Sequence, residues 1–406
     1  MIQFPRHFLW GAATSAYQVE GNNINSDWWA WEKEAGLKVV SGQACRHYEL
    51  YRQDFDLARA FNHNAHRLSV EWSRIEPEEG KFSAHELDHY LDVILSLKQR
   101  GLEPILTLHH FTNPLWFTKS GGWLNRSSTG YFLRFVEKVV RAFSQHLRYW
   151  ITINEPLVYL YHSYIIGKWP PQDRSLLRAW HVACNLSAAH IAAYKLIHRL
   201  YKDNGLASPY VSIANNMPAF IPCRPVLKDR LSAYLKERLF NMVFLENLIR
   251  HRSLDFIGIN YYHRTLVEVK RWGLRNLLLD TCDKNHHALP KNSLGWDIYP
   301  EGIYGALMRV KKYNLAVIIL ENGICTADDA ARWYFIKSHL ENIHRALREG
   351  VNVAGYMYWS LIDNYEWDNG FSARFGLVEV DYNTYERRPR ESANKFAAVC
   401  NSGRLD

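Results

Sequence analysis

The chain has 406 residues, 48% of them hydrophobic and 22% charged, with a formal net charge of +8. That is ordinary globular composition with ample material for a large core, and no apolar run reaches the roughly 18 residues of a membrane span. The charge is uneven, with 11 Lys/Arg against 5 Asp/Glu between Arg224 and Arg275. No Arg/Gly repeat or aromatic-interleaved ladder accompanies it, so a solvated basic face is expected rather than a nucleic-acid site. Cys45, Cys184, Cys223, Cys282, Cys325 and Cys400 lie far apart with no C-x-x-C pair. Reduced thiols are expected, and a zinc ribbon or disulfide framework is not. The opening MIQFPRHFLWG has no basic-then-apolar leader, so a cytoplasmic location is expected.

Short β-rich runs alternate with longer helical patterns. Strands are predicted over 8–14, 65–71, 102–109, 149–154, 210–215, 255–261, 315–321 and 353–360. Several are near-continuous apolar runs, such as Leu315–Leu320, which suits strands covered on both faces. Amphipathic helices are predicted over 87–100, 131–147, 180–201, 231–250 and 331–348. No linker or low-complexity tract divides the chain. Eight strands with intervening helices describe a single (β/α)8 barrel across residues 1–406, an α/β fold.

Barrel enzymes carry their chemistry at the C-terminal ends of the strands. Those ends hold Gln18 and Glu20, Glu71, His109 and His110, Asn154 and Glu155, Asn215 and Asn216, then Asn260, Tyr261 and Tyr262. The last two hold Glu321 with Asn322, and Trp359 with Ser360. These polar and aromatic groups are expected to converge on one pocket. Aromatics make up 14% of the chain, and flat amphipathic rings suit a sugar site. Glu155 in ITINEP and Glu321 in VIILENG each follow a β-run directly. Cleaving a glycosidic bond needs such a pair, one carboxyl to protonate the leaving oxygen and one to attack the anomeric carbon. Ends of the fourth and seventh strands lie across the barrel mouth from one another.

From Phe4 to Ala398 the sequence resembles glycoside hydrolase family 1. The resemblance rests on FLWGAATSAYQVEG at 8–21, RLSVEWSRI at 67–75, TINEP at 152–156, GINYY at 258–262 and GWDIYPEG at 295–302. It continues in ENG at 321–323 and the run from Tyr358 to Tyr382. It implies a retaining β-glycosidase with Glu155 as acid/base and Glu321 as nucleophile. Arg67, Tyr262 and Asn260 would support them, and Asn154 would bond the sugar 2-hydroxyl. Gln18, His110, Glu366 and Trp367 would grip the other hydroxyls, with Trp359 beneath the ring, Trp296 on the leaving-group side and Phe375 near the 6-position. No cofactor or metal is implied, and the partner is a small β-glycoside; a homo-oligomer is compatible.

Two carboxylates about 5 Å apart at an effective dielectric near 20 repel by roughly 3 kcal/mol, so one is expected to hold its proton. A cation beside Glu321 puts that proton on Glu155. An intact Glu366-Trp367 implies an unphosphorylated sugar, since 6-phosphate-specific members replace that pair. Glutamate at 155 excludes the plant myrosinases, which carry glutamine there. A carboxylate at 366 accepts from an equatorial or an axial 4-hydroxyl, so β-glucosides and β-galactosides or fucosides are all expected substrates.

The chain departs from the family at Phe111, where most members have an indole, so one hydrogen bond to the sugar is lost. It is also short at 217–254 and 324–331, which implies an open leaving-group side. Exposed Trp272, Leu274 and Leu277–Leu279 then offer a surface for a second subunit. Two other functions compete with the glycosidase: a sugar-binding pseudoenzyme, and a zinc peptidase built on His85-Glu86-Leu87-Asp88-His89. On a helix that motif turns Leu87, Tyr90, Leu91 and Ile94 one way and both histidines the other, so a solvated face is expected.

Overall fold

The computed structural model describes residues 2–282 and 289–405. Eight parallel strands close into a barrel, each joined to the next in sequence order. They are β1 (Leu9–Ala13), β2 (Ala65–Ser69), β3 (Glu103–His109), β4 (Tyr149–Asn154), β5 (Tyr210–Asn216), β6 (Phe256–Asn260), β7 (Ala316–Asn322) and β8 (Val353–Trp359). Closure is made by β8 on β1, with Gly355 opposite Leu9 and Trp359 opposite Ala13. Every predicted strand is present within a residue or two.

A principal helix follows each strand: α1 (His47–Ala60), α2 (Ala84–Gln99), α3 (Ser128–Phe143) and α4 (Leu176–Asp203). The fifth, α5, runs Leu227–Lys236, continues through a π-helical turn at Glu237–Met242 and ends as Val243–Arg250. After it come α6 (Glu301–Val310), α7 (Asp329–Arg348) and α8 (Glu391–Ser402). Several start earlier than predicted because a side chain caps them. Ser83, Ser175 and Asp328 each accept from backbone N–H groups of the first turn, satisfying donors that have no intrahelical partner.

Two apolar layers result from strand alternation. Outward residues such as Leu106, Ile153, Ile257 and Ile319 meet helix stripes, of which Phe132, Phe135, Val136, Val139 and Phe143 on α3 form one. Inward residues, among them Ala65, Ile105, Ile151, Ile318 and Met357, fill the barrel itself. The barrel floor is therefore closed, and only the C-terminal mouth can open into a site.

Above that mouth, Ala219–Pro222 pairs in parallel with Arg264–Val267. This pairing brings Cys223 and Cys282, 59 positions apart, to a Cα separation of 6.5 Å, and they form a disulfide. The expectation of six reduced thiols is corrected for these two; spacing in sequence gave no sign of the loop pairing that joins them. The basic stretch is also less solvated than expected. Arg224 pairs with Asp229 and Glu268, Arg238 with Glu246, and a half-buried Arg264 with Asp297. Among the described residues, no helix is long and apolar enough to cross a membrane.

Candidate active site

At the end of β4 the chain must turn sharply. Glu155 takes a left-handed backbone, φ 42° and ψ 59°, a conformation that costs a non-glycine residue about 1–3 kcal/mol. Pro156 follows at the first helical position, where its missing N–H removes nothing the helix needs. Across the mouth, β7 ends in Glu321-Asn322 and is followed by Gly323. A Cβ at Gly323 would sit 1.8 Å from the Trp359 carbonyl oxygen, so glycine alone lets β7 pass the end of β8.

Arg67, on β2 and 1% exposed, ties the two strand ends together. Its Nη1 donates to Glu321 Oε1, its Nη2 to Asn154 Oδ1 at 2.7 Å, and its Nε to Thr107 Oγ1 at 3.1 Å. The Tyr262 hydroxyl donates to Glu321 Oε2 at 2.5 Å. Glu321 thus has a cation on one oxygen and a hydroxyl on the other. Glu155 has neither. Its Oε1 accepts from the amides of Asn216 at 2.8 Å and Asn260 at 2.9 Å.

The protonation pattern follows. Burial first, and the charge of Glu321 second, push the Glu155 carboxyl up to about 8, against the pull of its two amide donors. The same two causes, in the same order, push Glu366 up to about 8. Both are protonated at neutral pH. The Tyr262 hydroxyl is raised well above its ordinary value by burial and by Glu321, so it remains a donor. His110 is held well below the usual histidine range by burial and by Arg67, so its ring is neutral. It accepts from Asn154 Nδ2 at 3.1 Å.

On the other side of the mouth, Gln18 Nε2 donates to Glu366 Oε2 at 3.1 Å and to the Tyr365 carbonyl at 3.0 Å, while Ser15 Oγ donates to Gln18 Oε1 at 2.6 Å. His110 lies nearly parallel to Trp359 and to Trp367, both at 6.1 Å between ring centres. Phe111 packs edge-on to Trp367 and against Trp169, both at 5.2 Å. Trp296 and Phe375 stand together beside Tyr262.

Most of these line one cavity of about 1050 Å³. Of the fourteen expected site residues, twelve border it; Arg67 and Asn260 stand behind Glu321 and Glu155. Convergence of every strand-end group does not hold, because neighbours on a strand face opposite ways. Glu20 turns to Arg74 and Tyr90, Glu71 to Ser73 and Thr112, and His109 to Asn113. Asn215 bonds the Asn241 carbonyl, Tyr261 the Tyr299 carbonyl, and Asn322 both Tyr261 and Tyr356.

One strand-end amide gains a partner that was not assigned to it, and one contributor, Trp169, escaped the sequence reading. Asn216, visible as a strand-end amide, is a direct partner of Glu155. Trp169 lies in a loop without periodicity; its indole donates to Asp368 Oδ1 at 2.6 Å and its ring stacks on His162. The stretch 217–254, though short, still walls the cavity through Phe220, Leu239, Phe240, Val243 and Phe244. The leaving-group side is thus walled in part, with Leu176, Trp180 and Leu239 exposed at its edge. Trp272 is 65% exposed, but Leu277 packs on Val267 and Val269, and Leu278 and Leu279 face the cavity. The side chain of Leu274 lies outside the described residues.

The H-E-x-x-H segment has a different use. Glu86 is in the first turn of α2, where Ser83 Oγ accepts its N–H, and its carboxylate accepts from Tyr48. His85 is 81% exposed, whereas His89 stacks on Tyr48 at 3.7 Å under α1, so the solvated face holds for only one of the pair. A grouping with metal-ligand spacing does occur at Cys223, Glu268 and Cys282, but its two sulfurs are bonded to each other.

The model of glycosyl hydrolase family 1 matches residues 1–251 and 245–404. A solved β-glycosidase from Pyrococcus horikoshii is 41% identical and superposes with a TM-score of 0.93, covering 100% of this chain and 96% of that one. A 1,4-β-D-glucan glucohydrolase of Thermotoga neapolitana is 31% identical over 452 residues, covering both chains fully. A β-galactosidase of Sulfolobus acidocaldarius is also 31% identical, over 99% of this chain and 96% of its own. With the paired carboxylates, the barrel and these matches together, the chain belongs to glycosyl hydrolase family 1 and is a β-glycosidase.

Proposed function

We propose that the protein is a retaining β-glycosidase acting on unphosphorylated β-D-glucosides, and on β-D-galactosides and fucosides, by double displacement. The observation that carries this reading is the asymmetry of the carboxylate pair. Glu321 is held between Arg67 and Tyr262, while Glu155 keeps its proton up to about pH 8. One is equipped to attack and the other to donate.

In the first step Glu321 attacks the anomeric carbon as Glu155 gives its proton to the glycosidic oxygen, and the alcohol leaves. The sugar is then esterified to Glu321. In the second step Glu155, now a carboxylate, takes a proton from water; that water attacks the anomeric carbon and frees Glu321. Two inversions return the β-configuration. Tyr262 and Arg67 keep Glu321 oriented, and the amide of Asn154, fixed by Arg67, faces the sugar's 2-hydroxyl. Glu366, paired with Gln18, reaches the 4-hydroxyl; as an acid it donates and accepts, which suits both epimers at that carbon. The relatives named as a glucan glucohydrolase and a β-galactosidase agree with that breadth.

The test is proton NMR of the first sugar released from a 4-nitrophenyl β-D-glucoside, repeated with galactoside, fucoside and mannoside. The β-anomer is expected to appear first, and an α-product would sink the retaining mechanism. Binding of the glycosides without any turnover would favour a pseudoenzyme.

A further inference from the structure

Above the barrel mouth, three side chains meet that the glycosidase chemistry does not use. Cys223 follows the strand Ala219–Pro222, Glu268 follows its partner Arg264–Val267, and Cys282 lies just past the short helix Leu274–Leu279. One sulfur or carboxylate oxygen from each lies within 4.8 Å of the other two, a spacing that suits metal ligands. Backbone bonds register both cysteines on the same strand. The Cys223 N–H donates to the Val267 carbonyl at 2.8 Å, and the Cys282 N–H to the Leu266 carbonyl at 2.9 Å. The two sulfurs are therefore held side by side whether or not they are bonded to each other.

Glu268 is the residue that a disulfide alone does not explain. It is only 9% exposed, and a neutral disulfide gains nothing from a buried carboxylate, whose loss of water is costly. An ion pair accounts for its charge but not for its place beside two sulfurs. That pair is itself anchored. Arg224 Nη1 meets Glu268 Oε1 at 2.9 Å, Arg224 donates to Asp229 at 2.8 and 3.1 Å, and Asp229 accepts the Val269 N–H at 2.9 Å. Outer partners of this kind fix the orientation of carboxylates that ligate metals. The same segments supply an apolar cluster of Ala233, Val267 and Val269, with Phe220 and Leu277 against it.

We infer that Cys223, Glu268 and Cys282 form a redox-gated binding site for a thiophilic divalent cation, zinc being the best match. In the oxidised state the sulfurs are bonded to each other and no cation binds. An external dithiol reduces that bond, closing to its own cyclic disulfide and leaving two thiols. The cation then displaces both thiol protons to water and takes two thiolates and a carboxylate oxygen, with a water as fourth ligand. Two soft sulfurs select zinc over magnesium or calcium. A cation about 2.3 Å from each sulfur needs them roughly 3.8 Å apart, which side-chain rotation allows at a Cα separation of 6.5 Å. Bound there, it ties the 278–281 wall of the cavity to the paired strands under conditions that break the disulfide.

The experiment uses the full chain, reduced with a trialkylphosphine (which becomes its oxide with oxygen from water) and desalted under argon. Thiol titration in denaturant is expected to count six per chain after reduction and four before. Calorimetric titration with zinc chloride should then show one zinc per chain in the reduced protein, with proton release, and none in the oxidised protein. Cobalt(II) in its place should give a thiolate charge-transfer band that zinc abolishes. Zinc is expected to raise the melting temperature of the reduced protein only. The double variant Cys223→Ser, Cys282→Ser keeps the other four cysteines and should lose the band and the thermal shift while still hydrolysing 4-nitrophenyl β-D-glucoside. Glu268→Gln keeps both sulfurs and should weaken zinc by about tenfold or more. A disulfide that resists the phosphine overturns the inference. So does zinc binding that is equal in the oxidised protein, survives in the double variant, or is indifferent to Glu268→Gln.

Discussion

The two ends of the cavity are built on different principles. At the sugar end nearly every side chain is polar or aromatic and bonded to another, with Arg67, Asn154, Asn260 and Tyr262 locking the carboxylates in one arrangement. At the far end the walls are mixed, with Leu239, Val243, Leu278 and Leu279 beside Phe220, Phe240, Lys236 and Arg250. Directional bonds lose strength steeply when geometry slips, so the proposed sugar end is expected to discriminate between hydroxyl positions. Burial of hydrocarbon is non-directional and scales with area, so the far end is expected to discriminate less sharply. Discrimination of sugars and discrimination of leaving groups should therefore be separable by mutation.

The sharpest break in that comparison is at the carboxylates. Glu321→Ala is expected to lose turnover by about 10⁶-fold, the order reached when a covalent nucleophile is removed, for every leaving group alike. Added azide should recover part of it as the α-glycosyl azide, seen by NMR. Glu155→Ala should lose roughly 10²–10⁴-fold on alkyl glucosides, the usual worth of acid catalysis, and far less on 2,4-dinitrophenyl glucoside. Its azide product should be the β-anomer; interchanged anomers would swap the two roles.

Smaller changes test the separation itself. Glu366→Ala leaves the Gln18 amide two other acceptors but removes the group proposed to bond the sugar's 4-hydroxyl, a loss of about 1–3 kcal/mol or roughly 5- to 150-fold in kcat/KM. The ratio between glucoside and mannoside should shrink while the relative rates across leaving groups stay as before. A change in both would show that the two ends are coupled.

The mildest effects come from pH. With Glu155 at about 8, hydrolysis of alkyl glucosides should decline as pH rises through that value, and 2,4-dinitrophenyl glucoside should be much less sensitive. The same group affects stability. Its folded value lies above the ordinary 4.5, so its contribution is complete below about 4.5 and is lost as pH rises through about 8. Glu155→Gln should therefore melt a few degrees higher than the wild type at pH 9 and match it near pH 4.5. Equal melting temperatures at both pH values would show that Glu155 is not carrying a displaced proton.

Much of this was legible in the chain. Strand β7 announces itself as Leu315–Leu320, apolar on both faces, and Glu321 follows because a barrel strand must end where its mouth opens. TINEP reads as strand, turn and helix start from residue types alone. The motifs also named the groups around the carboxylates, since each sits within a residue or two of a strand end. What stayed hidden depends on contacts between distant segments. Which strand-end group faces inward is set by alternation relative to a register that sequence does not reveal, and so Glu20, Glu71 and Asn215 left the site while Asn216 stayed in it. The indole of Trp169 meets Asp368, 199 positions away. Cys223 finds Cys282 only because two short strands pair above the barrel.

Sequence by itself determined the barrel and the identity of its paired carboxylates, because both follow from local periodicity and from residues adjacent to strand ends. Only the tertiary structure decided how far Glu155, already expected to hold the proton, is raised, and the shape of the far chamber. The first depends on burial and on the distance to Glu321; the second arises where α4, α5 and the disulfide-tied segment meet. Those are properties of the space between elements, which no stretch of chain contains.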